Sequence, residues 1–154
     1  MGFPTCYNTL MRPTVYIETS VVSYRAARMS RDLIIAGHQQ ITEEWWSRVL
    51  PRLDGYISPY VIGELSRGDA KASEKRLELV AVFPLLEVTP KVHGLADAYF
   101  KAIDLPEKAR LDAYHLAVAT WHGMDYMVSW NCKHIANGRV RMIVERVNAR
   151  RDMS

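Results

Sequence analysis

No stretch of this chain approaches the roughly 20 consecutive apolar residues that a membrane-spanning helix needs. The longest clean apolar run, Leu79 to Leu86, is interrupted by Pro84. Met1 to Leu10 lack the basic start, long apolar centre and small-residue cleavage pattern of a secretory leader. These absences point to the cytosol and to no membrane partner. Cysteine is scarce, with only Cys6 and Cys132 present. No CxxC and no Cys/His zinc spacing occurs, which removes disulfide-framework and zinc-ribbon folds. Cys132, beside Asn131, reads as a buried, inert thiol. Charge of one sign is lacking too: 20 Lys and Arg stand against 17 Asp and Glu, leaving +3. Such a balance permits nucleic-acid binding without demanding it. Repeats, low-complexity tracts and linkers are absent as well.

What remains is a 154-residue chain, 49% hydrophobic and 24% charged, enough to bury a real core. Residues 1–11 read as a loose leader and 12–150 as a single domain. Thr14 to Ile17 is β-branched and aromatic, a short buried strand. Thr19 and Ser20 then open a helix over Val21 to Arg28. Ile34, His38, Ile41, Trp45 and Val49 recur at spacings of three and four, so Arg31 to Leu50 reads as an amphipathic helix with that face inward. Pro51 ends it. Tyr56-Ile57 is a minimal second strand, and Ser58-Pro59 pairs a capping hydroxyl with a helix-opening proline. Gly68 closes that helix and Asp69 caps the next. Leu85 to Val88 reads as a third strand, Thr89-Pro90 opens a helix to Ile103, and Glu107 to His122 forms another. Tyr126 to Ser129 is the fourth strand, followed by a helix over Ala136 to Arg150. Strands alternating with helices imply an α/β fold, a central parallel sheet of about four strands flanked by helices in three layers.

Within this pattern four polar residues stand out. Glu18 and Asn131 each follow a strand and so occupy the carboxyl edge of the sheet, where such folds bind ligands. Glu64 and Asp112 lie in helices otherwise built for burial. A carboxylate in a core-forming segment is costly unless it meets a cation. Singly each has a plain explanation: Glu18 as a cap, Glu64 paired with Arg67, Asp112 with His115 or with its helix dipole. Together they describe an oxygen-rich site for Mg2+ or Mn2+. Phosphodiester hydrolysis is the reaction that most often uses such a site. His115 reads as a satisfied packing histidine, and Trp45 and Trp46 as core or interface. The late basic residues, among them Lys133, Arg139 and Arg141, are candidates for RNA phosphate contact, with a solvated helix face as the alternative.

The segments Val15-Tyr16-Ile17-Glu18-Thr19-Ser20-Val21, Ile57 to Leu65, Asp112 to Ala119 and Met127 to Asn137 resemble the PIN-domain superfamily. Within it they are similar to ribonuclease toxins of the VapC type. The resemblance implies an Mg2+- or Mn2+-dependent endoribonuclease that prefers single strands, forms a homodimer and is silenced by a cognate antitoxin protein. It places Glu18, Glu64 and Asp112 as the acids, Asn131 where a further acid usually stands, and Ser20 and Ser129 as flanking hydroxyls. Glu18 replaces the usual aspartate, Asn131 is neutral, and nothing after Asn148 reads as the family's final strand. Those departures frame the main rival, a non-catalytic PIN-like module that binds RNA or protein through a degenerate metal site. A receiver or aspartyl-phosphatase domain is a third possibility, but it requires a strand-end aspartate that this chain does not have.

Overall fold

The computed structural model describes residues 11–152. The leader assigned to residues 1–11 therefore falls, except for Met11, outside the described residues. β1 (Thr14–Ile17) is the centre of the sheet. It pairs in parallel with β2 (Asp54–Tyr56) on one side and with β3 (Tyr126–Val128) on the other. Val15, Tyr16 and Ile17 are all fully buried. Consecutive strand residues point to opposite faces, so burial of all three means both faces of β1 are covered.

α1 (Thr19–Ala26) leaves β1 directly, with Glu18 as its N-cap. α2 (Leu33–Arg48) begins at Asp32, whose carboxylate accepts from the Ile34 and Ile35 amides. A 3-10 turn at Leu50–Arg52 carries Pro51 and leads into β2. α3 (Pro59–Leu65) and α5 (Pro90–Ile103) both start on proline; Thr89 caps α5 through its hydroxyl, whereas the Ser58 hydroxyl gives α3 no cap and turns to Tyr16 instead. α4 (Ala70–Val80) is capped by Asp69 and follows Gly68, whose φ of 87° favours glycine. A 3-10 turn at Glu107–Ala109 runs into α6 (Arg110–Trp121), and α7 (Gly138–Arg150) starts at the Asn137 cap. α1, α2 and α4 pack together, as do α5, α6 and α7. None of the described helices is long and apolar enough to cross a membrane.

Four expectations need correcting. The described sheet has three strands, not about four. Leu85 makes only an isolated parallel bridge to Ile57, held by the Ile57 amide on Pro84 O and the Leu86 amide on Ile57 O. The second strand covers Asp54–Tyr56, earlier than Tyr56-Ile57. Gly55 fits there because a Cβ would meet the Phe83 ring at 2.8 Å.

The α2 face is rotated: His38 and Trp45 of the expected stripe are partly buried, Trp45 against the core, but the rest of it turns outward. Ile34, Ile41 and Val49 are exposed, whereas Gln39 and Thr42 are buried. The docking is polar: Gln39 donates to Arg28 O and accepts from the Ser30 amide, while Thr42 donates to His38 O and accepts from Trp130 Nε1. Finally, Cys132 is exposed rather than buried, because it lies in the turn that follows β3.

Candidate metal centre

The end of β1 delivers Glu18 into the interior, where it is only 5% exposed. One carboxylate oxygen, Oε2, accepts from the Ser20 amide at 3.2 Å, the Ser20 hydroxyl at 2.5 Å and the Ser129 hydroxyl at 2.7 Å. The two serines named from the sequence thus hold the same oxygen from two strand ends. Ser20 Oγ in turn accepts from the Trp130 amide and Ser129 Oγ from the Asn131 amide, both at 2.9 Å. The hydroxyls therefore lock the carboxylate to the β3 terminus.

Glu64 arrives from α3. Its Oε1 accepts from Thr19 Oγ1 at 2.8 Å and from His115 Nε2 at 2.5 Å. One ligand atom each from Glu18, Glu64 and His115 lie within 4.8 Å of one another. Neither Glu18 Oε1 nor Glu64 Oε2 accepts a hydrogen bond from the described residues. Each carboxylate therefore has one oxygen fixed by the protein and one left to bind.

His115 is fully buried and uses both ring nitrogens. Nδ1 meets Tyr16 Oη at 2.6 Å, and Tyr16 Oη meets Ser58 Oγ at 2.8 Å. Only one proton arrangement serves an ionised Glu64 beside a neutral ring. A carboxylate only accepts, so Nε2 carries the proton and Nδ1 accepts from the tyrosine O–H. Tyr16 then accepts from Ser58. The donors point in one direction, from Ser58 through Tyr16 and His115 to Glu64. Nε2 is thereby occupied, and His115 orients Glu64 instead of ligating an ion. Such histidine–carboxylate pairs fix ligand orientation at metal sites.

Electrostatics agree with an ionised Glu64. Burial pushes its carboxyl up, but the hydrogen bonds from His115 and the Thr19 hydroxyl, with the Arg67 charge nearby, outweigh it and hold the group below the usual glutamate value. Burial pushes the Tyr16 phenol far up, so Tyr16 stays a neutral donor.

Asp112 lies outside the group of Glu18, Glu64 and His115. It sits one turn before His115 on α6. Its Oδ2 pairs with His134 Nδ1 at 2.9 Å. Asn131 accepts from the His134 amide through its side-chain oxygen at 3.0 Å, so that oxygen shapes the turn after β3. A hydrogen-bonded path thus runs from Glu18 through Ser129, Asn131 and His134 to Asp112. Lys133, Arg139 and Arg141 are exposed, and Arg141 is engaged by Glu145 at 2.9 Å.

Sequence reasoning did not pick out Tyr16, Ser58, Thr19 or His134 as parts of the site, and it gave His115 packing or a pairing with Asp112, whereas His115 meets Glu64 and Asp112 meets His134. A signal existed for His115: a histidine amid Ala113, Ala117 and Ala119 at helical spacing must be buried, and a buried imidazole needs two partners.

No family model matches the chain, and neither the curated proteins nor the solved structures contain a significant match. The case for a function rests on the site itself.

Proposed function

We propose that this chain is a metal-dependent endoribonuclease of the toxin–antitoxin type, with a PIN-like fold. The observation that carries the reading is the convergence of Glu18 and Glu64 on one point at the sheet's carboxyl edge, each with a carboxylate oxygen to spare. Two hard oxygen donors with room for waters fit Mg2+ or Mn2+ better than a soft metal. Bound there, the ion would acidify a water and steady the leaving oxygen.

The protein's own groups divide the remaining work. Glu18 and Glu64 hold the ion, the first steadied by Ser20 and Ser129, the second by Thr19 and His115. Asp112, kept by His134, would reach the ion through water. Asn131 shapes the turn that presents His134. In the reaction the water oxygen bonds to phosphorus as the phosphorus–oxygen bond to the leaving nucleoside breaks. The products are a phosphate monoester and a free hydroxyl. Two protein contacts belong to this reading, a cognate antitoxin and a second copy of the chain. The outward aliphatic residues of α2, Leu33, Ile34 and Ile41, are the feature that favours them.

One observation favours a second reading. Asp112 is already paired with His134 and Asn131 is neutral, as in a binding module that has lost its chemistry. Incubation of single-stranded RNA with the protein separates the two. The nuclease gives fragments with Mn2+ and none with EDTA, and loses them in Glu18→Gln. Intact RNA at millimolar Mn2+ supports the binding module.

A further inference from the structure

α1 starts at the candidate metal centre and ends in a basic groove. A hollow of about 510 Å³ includes Ser20, Ser23, Ala27 and Arg28 in its lining. A second, of about 520 Å³, shares Ser23, Ala27 and Arg28 and adds Lys71, Lys75 and Arg76 from α4. Ser20 is the residue whose hydroxyl holds Glu18. The two hollows adjoin at Ser23, Ala27 and Arg28, and the first reaches the serine that holds Glu18.

The charge of these hollows is not neutralised by the protein. Arg28, Lys71 and Lys75 enter none of the ion pairs among the described residues. The single acid in the lining, Asp69, is occupied at the Ala72 amide as the α4 cap. Lys71 and Lys75 lie one helical turn apart, a like-charge placement that disfavours the helix on its own. Arg76 has a different task. It donates to Leu65 O and Arg67 O and so fastens the α3–α4 turn. Arg67, held in that turn, is near enough to Glu64 to act on its charge. Lys71, Lys75 and Arg28 thus line one hollow with Ser23, Ala26 and Ala27 as its small side chains. Serine and alanine leave room for a backbone, and free cations at intervals suit successive phosphates.

We propose that the groove between α1 and α4 is the track for the phosphate backbone of single-stranded RNA, with Lys71, Lys75 and Arg28 as the phosphate contacts. This rests on the endoribonuclease reading and replaces Lys133, Arg139 and Arg141 as the principal RNA-binding residues. The partner is a nucleic acid; an acidic protein segment is the alternative that the charge of the groove would also attract.

The test is fluorescence anisotropy of a labelled oligouridylate in EDTA, so that nothing is cut. The proteins are the wild-type chain, Lys71→Gln/Lys75→Gln and Arg139→Gln/Arg141→Gln. All four side chains are exposed, and an unchanged melting temperature verifies the fold. The lysine pair should weaken binding about tenfold or more, and flatten the salt slope by about 1.4, at about 0.7 per phosphate contact in a single strand. The arginine pair should change little. The reverse ranking overturns the track. Displacement of the RNA by poly-glutamate at matched charge overturns the choice of nucleic acid.

Cleavage with Mn2+ is read in parallel. RNA that is cut equally well by the lysine variant sinks the track and spares the nuclease. RNA that is held through the lysines yet never cut sinks the nuclease and spares the track.

Discussion

Replacing Glu64 by glutamine separates metal binding from folding. The amide is nearly isosteric, and its carbonyl oxygen can still accept from Thr19 and His115. What is lost is the charge-assisted part of those bonds, about 1 kcal/mol. Relief of repulsion with Glu18, within 4.8 Å, acts in the opposite direction. The metal-free melting temperature should therefore move by no more than roughly 2–4 °C for a chain of this size. Metal should then separate the two proteins. Mn2+ at about a hundred times its dissociation constant stabilises the native state by about 2.7 kcal/mol. That corresponds to a rise of roughly 5–11 °C in the wild type. Glu64→Gln removes one of two anionic donors and should show almost none of it over the same titration. Circular dichroism or dye fluorescence reads the transition. A flat wild-type curve up to millimolar Mn2+ refutes the metal centre. Equal shifts in both proteins refute the role of Glu64 in it.

Other consequences are as direct. Asp112→Asn should abolish Mn2+-dependent RNA cleavage with circular dichroism unchanged; undiminished cleavage removes Asp112 from the mechanism. Tyr16→Phe leaves the buried His115 Nδ1 without its donor, at a cost of about 1–3 kcal/mol, or a fall of roughly 2–12 °C in melting temperature. It should also weaken Mn2+ binding, since the histidine that orients Glu64 loses its own anchor. Because Glu64 sits below its ordinary value of 4.5 when folded, its contribution is complete above that value and lost as pH falls through the lower folded one. Urea unfolding of wild type against Glu64→Gln should give a difference that is level near neutrality and shrinks in acid; a difference that grows in acid contradicts the assignment.

The parts of the fold legible in the sequence were those with a local cause. β1 was visible because three consecutive residues there needed burial on both faces, and α3 and α5 because a hydroxyl residue and a proline marked their starts. Gly68 and Asp69 showed where one helix ended and the next began. The α2 face was misread because periodicity registers apolar spacing and not what the helix docks against. Gln39 faces inward to meet the Arg28 carbonyl and the Ser30 amide just before the helix, and Thr42 to accept from the indole of Trp130, far along the chain. Leu85 to Val88 has the composition of a strand, but pairing beyond the single bridge to Ile57 is not made, and composition does not report pairing.

In the site, strand-end position and carboxylate chemistry indicated Glu18 and Glu64, and the serines followed from their flanking places. The placement of Asp112 depended on His134, 22 residues later, a pairing that no local pattern encodes. The role of His115 depended in the same way on Tyr16, which alternation along β1 marks only as core.

Tyr16 ties two selective demands into one side chain. By volume, phenylalanine would fill its place between the sheet and the helices. By proton count it would not, because that ring's O–H is the donor that the buried Nδ1 of His115 accepts from. A library that tolerates aliphatic exchange at Val15 and Ile17 should therefore reject exchange at the residue between them when activity is scored, and relax when only soluble expression is scored.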